Sequence, residues 1–540
     1  MSYARAASLG LANMWVAFAA FAVAALLGLY QVVERIDLIP ELKSPELYFG
    51  SVSTHGVLMG FVLTTFFIVG YGYYTATTSL KQEIWNRPVA WFGFWLSLVG
   101  VLLAAVPLLT GNASVLYTFY PPLMAHPAFY IGAALLVVGS WFWCLEMVMM
   151  YTIWKKAHRG EAVPLAMFGT TANAILWFCT SLGVALEVVF QLIPWSLGII
   201  DTVDVGLART LFSWTLHAIV YFWLFPAYIA LYTLVPKAAG GRVFSDQMGR
   251  FAFIMLLVFA IPIAFHHLYM DPFQAAGWKF LHMTGTFMVA VPTLITGFTV
   301  IASLEVAGRL RGGKGLFGWI GALPWNNPLV LAAILSMLML TFGGFGGMIN
   351  ASYSMNTMVH NTQWVTGHFH LIFAGTSVIM YFAIAYYLWP KMTGKALYST
   401  RLANAQLWLW FVGMLILTLP WHQLGVAGQP RRISSTPYDE SFVQSWLTSE
   451  MLMIVGGAIL FTSALIMVYV LLKTHGVGQP ADNLEVEYAE SLHATARMPR
   501  LLNSFGFWVM LVVVYMLASY GYPIAQFFIL ETYGALPWSI

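Results

Sequence analysis

Residues 364–390 read WVTGHFHLIFAGTSVIMYFAIAYYLWP, a run without a single aspartate, glutamate, lysine or arginine. At about 1.5 Å per residue a helix of this length reaches about 40 Å, more than the roughly 30 Å of bilayer hydrocarbon. The run is continuous rather than alternating, so it reads as a spanning helix and not as a barrel strand. Near its start it nevertheless carries His368 and His370, and polar rings inside a span need a reason to be there.

Twelve further apolar segments surround it, at about 10–32, 52–74, 88–110, 128–151, 169–193, 210–236, 251–270, 278–303, 325–348, 402–425, 446–473 and 502–530. The expected fold is all-α: a polytopic membrane protein of about thirteen transmembrane helices, forming one domain over residues 1–540. Only 8% of the 540 residues are charged and 60% are hydrophobic, against roughly 25% charged in soluble domains. So few charges cannot coat a water-soluble surface, which excludes a cytosolic enzyme, a secreted disulfide scaffold and a nucleic-acid-binding domain. Cys144 and Cys179 lie in apolar runs and read as buried thiols. The first apolar segment is long enough to span, so no cleavable signal peptide is expected. The longest hydrophilic stretch, about 474–501, carries Glu485, Glu487 and Glu490 and reads as a loop.

Basic residues set the orientation. Six of the 24, Arg35, Lys43, Arg209, Lys279, Arg431 and Arg432, fall in loops on one side, and the other eighteen on the opposite side. The positive-inside rule puts the N-terminus in the cytoplasm and, with an odd number of spans, the C-terminus outside.

Six of the thirteen histidines converge in depth. His55 lies in the second segment, His217 in the sixth, His266 and His267 in the seventh, and His368 and His370 in the tenth. Alternate segments run in opposite directions, yet all six rings arrive in the outer half. One such histidine would be an ordinary hydrogen-bonding residue; six at one level ask for cofactors. His368 and His370 stand about 200° apart around a helix and so face different surroundings, which lets one helix hold two prosthetic groups. His266 and His267 are neighbours about 100° apart and share a metal only if a third ligand closes the site. His217 can supply it, and three imidazoles suit copper, iron or zinc. His55 pairs naturally with one histidine of the tenth segment as the axial ligands of a haem. Tyr221 lies one turn beyond His217 on the same face.

Four segments, Ser53-Thr54-His55-Gly56, Trp214-Thr215-Leu216-His217 through Tyr221, Phe265-His266-His267, and His360-Asn361-Thr362 through Gly367-His368-Phe369-His370, closely resemble subunit I of the haem-copper oxidase superfamily. The resemblance covers all thirteen segments and implies a respiratory oxidase whose catalytic domain is the whole chain. It implies that His55 and His370 hold a low-spin haem of b type, that His368 holds a high-spin haem of a type or a variant, and that His217, His266 and His267 hold the copper, CuB. Tyr221 resembles the tyrosine joined covalently to the first copper histidine. Arg431 and Arg432 resemble the pair that holds haem propionates. Trp421 and His422 read as wall residues.

Where better-known oxidases read His-Pro-Glu-Val-Tyr, this chain has His217-Ala218-Ile219-Val220-Tyr221, without the proton-conducting glutamate. The loop near 75–88 offers only Glu83 in place of an aspartate. Both features resemble the B-type, ba3-like branch. That branch carries an aspartate near the propionates where this chain has Asn356, which leaves His360 and the propionates to hold a pumped proton. A single proton route is expected through Tyr228, Tyr232 and Ser245 with Thr286, Thr293 and Thr296, since hydroxyls both donate and accept.

The resemblance further implies a subunit II carrying CuA, a small single-helix subunit, cytochrome c as electron donor and dioxygen as substrate, in a prokaryotic cell membrane. Quinol is the alternative donor. A nitric oxide reductase of the same fold would want glutamates near the second metal and no Tyr221. A secondary transporter would show inverted repeats, and a purely structural subunit would leave six histidines unexplained.

Overall fold

A computed structural model describes residues 3–436, 439–481, 483–493 and 497–530. In chain order the main helices are α1 (Ala4–Arg35), α2 (Pro45–Leu80), α3 (Arg87–Leu109), α4 (Pro127–Ala157), α5 (Leu165–Ser196), α6 (Val205–Thr233), α7 (Asp246–Phe259), α8 (Ala276–Leu310), α9 (Pro328–Ala351), α10 (Gln363–Thr393), α11 (Thr400–Val426), α12 (Ser441–Val477) and α13 (Gly506–Ile529). Twelve of them are long and apolar enough to cross a membrane.

The exception is α7. The segment expected as one helix over 251–270 is an α-helix of 14 residues followed by a 3-10 turn, Ala264–Leu268. Pro262 stands in the gap: it has no N–H to donate and disfavours helical geometry at the residue before it. The thirteenth expected span is therefore not one continuous helix but a short helix, a break at Pro262 and a turn.

Both ends of the described chain are packed into the bundle. Gly10, early in α1, lies against Gly70 and Met392, late in α2 and α10. Phe505, just before α13, stacks on Phe168 near the start of α5 at 4.4 Å between ring centroids. At the far end of α13, Gln526 bonds Gln274 at 2.9 Å. Residues 531–540, which hold the C-terminus, lie outside the described residues.

The bundle is centred on the helices whose apolar runs hold histidines. Of the most apolar stretch of each helix, 89% is buried in α6 and in α10, against 22% in α13 and 33% in α1. Lipid provides no hydrophobic drive between helices, so close approach relies on small residues. Gly93, Ser97, Gly100 and Ala104 of α3 meet Gly132 and Gly139 of α4, where a Cβ on Gly100 would stand 2.5 Å from the Gly132 carbonyl oxygen. Described residues between α12 and α13 are tied to the end of α6 and to the loop after it. Ala489 N–H donates to Thr233 O (2.6 Å), and Val243 N–H to Glu490 O (2.9 Å).

One glycine matters directly for the break in the seventh crossing. A Cβ on Gly285 of α8 would overlap the Pro262 carbonyl oxygen, whereas at Gly297 the nearest atom is a methionine tip at 3.6 Å. Gly285→Ala is expected to destabilise the protein by about 1–3 kcal/mol through overpacking, and Gly297→Ala to be near neutral. Unfolding midpoints of the two purified variants check this, and equal midpoints would refute it.

Candidate functional site

His217 sits at the seam between the α-helical stretches Val205–Leu216 and Ala218–Thr233. His266 and His267 project from the 3-10 turn rather than from a regular helix. The turn and the seam bring the three rings together: His217 Nδ1 is 3.1 Å from His267 Nε2, and the His217 and His266 centroids are 4.4 Å apart. One ligand atom from each of the three lies within 4.8 Å of the others, the one such group among the described residues. Two nitrogens each about 2 Å from a shared ion stand about 3 Å apart, so the spacing fits a metal. A donor set of imidazoles without a carboxylate fits copper. His266 Nδ1 faces Thr286 Oγ1 at 3.2 Å, which leaves Nε2 for the centre. The other nitrogen of His217, Nε2, is 3.3 Å from the Tyr221 hydroxyl.

The second pair is equally well defined. The rings of His55 and His370 face each other with centroids 6.3 Å apart and planes 19° from parallel. An iron ligated on both sides at about 2 Å gives a centroid separation of about 6 Å. His55 Nδ1 bonds Ala24 O (2.8 Å), His370 Nδ1 bonds Thr366 O (2.9 Å), and His368 Nδ1 bonds Gly343 O (2.9 Å). Carbonyls only accept, so each Nδ1 carries the proton and each Nε2 offers its lone pair. Trp421 packs on His370 at 4.8 Å and lines the cavity wall, whereas His422, whose Nδ1 donates to Thr418 O at 2.7 Å, does not line it.

All six rings line one cavity of about 530 Å³, together with His360, Arg431 and Arg432. Glu146, Glu187 and Glu305 do not line it. At its outer wall Arg431 Nε donates to Asn361 Oδ1 (3.0 Å), and among the described residues neither arginine has an acidic partner. Two adjacent guanidiniums on a cavity wall fit anionic groups of a bound cofactor. Burial and the Arg432 charge lower the Arg431 group to about 10. Burial above all, then Arg431, Arg209 and Arg432, hold the His360 imidazole down at about 4. His360 is therefore neutral at pH 7, and its Nδ1 bonds Asn356 Oδ1 at 3.0 Å.

The expected hydroxyl route is partly assembled. Tyr232 donates to Thr296 Oγ1 at 3.0 Å, and Tyr228 to Thr293 Oγ1 at 3.4 Å. Two residues fall outside the ladder. Thr286 on α8 instead faces His266 of the 3-10 turn, and Ser245 caps α7 by accepting from Met248 N at 3.2 Å. Thr299, absent from the sequence reading, stands one step further along α8, with its hydroxyl donating to Ile295 O at 2.7 Å. Its signal was the repeat of threonine every three residues, at 293, 296 and 299. His282 was missed as well, because it lies outside the six-histidine pattern.

The chain matches the family described as "Cytochrome C and Quinol oxidase polypeptide I" over residues 8–459. It belongs to that family. Cytochrome c oxidase subunit 1 of Thermus thermophilus is 38% identical over 525 residues, covering 95% of this chain and 93% of the relative. The same subunit of Thermostichus vulcanus is 25% identical over 449 residues, covering 80% and 78%. A heme-copper terminal oxidase dimer solved by cryo-EM matches with a TM-score of 0.91 and 34% identity, over 96% of this chain and 92% of that one. This oxidase subunit I is thus a terminal respiratory enzyme of a family that carries haems and copper, embedded in a membrane by many helices.

His55→Ala and His370→Ala are each expected to remove the six-coordinate low-spin haem signal while His217→Ala leaves it. Reduced-minus-oxidised spectra decide, and a persistent low-spin signal in both of the first two variants would rule the pair out.

Proposed function

We propose that this subunit reduces dioxygen to water at a high-spin haem beside copper, with electrons relayed by a low-spin haem and coupled to proton pumping. The observation that carries the reading is the His217–His266–His267 cluster with Tyr221 at 3.3 Å, in the cavity that also holds the facing pair His55 and His370. His55 and His370 would hold the low-spin haem, of b type, and His368 the high-spin haem, of a type or a variant. When bound, iron and copper supply three of the four electrons that split dioxygen without releasing peroxide.

The chain's own residues do the rest. Tyr221 holds an oxidisable ring and a hydroxyl proton next to His217, the fourth electron and its proton. Tyr228 with Thr293 and Tyr232 with Thr296 relay protons inward to outward through hydroxyls, so no charge is buried on the way. Ile219 offers no acid for a second route. Arg431 and Arg432 would bind haem propionates, and His360 together with those propionates would hold the pumped proton.

Cytochrome c is the proposed donor, since the similar subunits of Thermus thermophilus and Thermostichus vulcanus belong to cytochrome c oxidases. Cys144 and Cys179 are both buried, so an electron-accepting CuA belongs on a subunit II. A small single-helix subunit completes the complex in a prokaryotic cell membrane, with the N-terminus of this chain cytoplasmic and the C-terminus outside. The absence of Glu146, Glu187 and Glu305 from the cavity lining disfavours nitric oxide reduction.

Metal and haem analysis of the purified complex tests the class. Two haems and one copper per copy of this chain, beyond copper in other subunits, are expected, and iron in place of that copper would overturn it. Oxygen uptake with reduced cytochrome c against a quinol decides the donor. Tyr221→Phe is expected to keep haems and copper and nearly abolish turnover. Peptide mass spectrometry should find the His217 and Tyr221 peptides joined in active enzyme. Tyr232→Phe and Thr296→Val should each slow turnover at least about tenfold with haem spectra unchanged; wild-type rates in vesicles would sink the route.

A further inference from the structure

The turn that presents His266 and His267 begins just after Pro262, where the helix has ended, so its first amides lack helical acceptors. They are taken up from outside. Ala264 N–H donates to His282 Nδ1 at 3.1 Å, and Phe265 N–H reaches the same atom at 3.4 Å. The other nitrogen, His282 Nε2, donates to the Ser519 carbonyl of α13 at 3.2 Å. An amide only donates and a carbonyl only accepts, so the ring is the neutral tautomer with its proton on Nε2. It is fully buried and lies flat on Phe265, with centroids 3.8 Å apart and planes 10° from parallel. Around it, the Tyr520 hydroxyl donates to Ile261 O at 3.0 Å. One turn along α8, Thr286 Oγ1 donates to His282 O at 2.7 Å and faces His266 Nδ1 at 3.2 Å.

We propose that His282 is a positioning residue: wedged between the metal-bearing turn and α13, it fixes the turn so that His266 and His267 face His217. A single ring satisfies the turn's free amides on one side and anchors them to the last helix on the other. No aliphatic side chain can do either. The inference deepens the copper reading above and rests on it. It also gives α13, the least enclosed helix, a part in the site through the Ser519 carbonyl and the Tyr520 ring.

The test uses the purified complex and three variants. His282→Leu removes both bonds. His282→Asn keeps an acceptor oxygen where Nδ1 stands, and His282→Gln does not. Partners that orient metal ligands are worth about 10–100-fold in metal affinity. Chelator competition should therefore show His282→Leu losing copper about 10–100-fold more readily than wild type, with the low-spin haem spectrum unchanged and His282→Asn recovering most of the loss. In parallel, hydrogen exchange of the peptide spanning residues 261–270 should speed up in His282→Leu and return towards wild type in His282→Asn. Wild-type copper retention and wild-type exchange in His282→Leu would overturn the proposal. If that variant does not assemble, Asn and Gln variants that hold copper and exchange alike would overturn it equally. A wild-type complex without this copper would defeat the copper reading instead, while the exchange comparison still judges the clamp.

Discussion

Unpaired ring nitrogens facing one cavity are the constraint on which the rest of this structure depends. An imidazole has one nitrogen that donates and one that accepts, and a membrane protein's interior has little water to satisfy either. In His55, His368 and His370 the donating nitrogen is bonded to a backbone carbonyl. Each accepting nitrogen is then left turned to a shared space. A bundle that buried such lone pairs against hydrocarbon would be destabilised several times over. Cofactor metals resolve this, and the centroid separation of the His55–His370 pair and the nitrogen spacing of the triad both have the dimensions of metal coordination.

Holding rings at those positions distorts the helices that carry them. A π-helical stretch, Leu58–Leu63, follows His55 in α2, and another, Phe373–Val378, follows His370 in α10. The helix is interrupted at His217 in α6, and the seventh crossing breaks at Pro262. Such departures rotate a side chain relative to its regular register and concentrate at functional sites. They are tolerated because neighbouring elements accept or supply the freed hydrogen bonds. The turn after Pro262 relies on α8 and α13 in this way.

The outer wall follows a different rule. Arg431 and Arg432 stand together near the histidines without an acidic partner among the described residues, and Asn356 ties His360 to this region. Asn356 Nδ2 donates to Asn350 O at 2.7 Å while its Oδ1 faces His360 Nδ1 at 3.0 Å. Where the related pattern has an aspartate, an amide here fills both hydrogen-bonding roles without adding a negative charge. The positive field of the arginine pair is thereby left for an anionic group in the cavity.

How much of this was readable without coordinates follows from the range of each interaction. Hydropathy is a property of chain and bilayer, so the bundle of spans was legible. Six histidines at one depth were legible too, since depth in a membrane is counted along each helix. Tyr228–Thr293 and Tyr232–Thr296 followed from two helices sharing that depth scale. What depth cannot encode is rotation and local unwinding. The break at Pro262 and the Ser245 cap are local features of the chain, but the displacement of Thr286 from the hydroxyl ladder to His266 depends on how α8 packs on the turn. His282 was invisible for the same reason: its partners, Ala264 and the Ser519 carbonyl, lie 18 and 237 positions away. Periodicity within one helix carries no information about contacts across such separations, so only the tertiary fold could decide them.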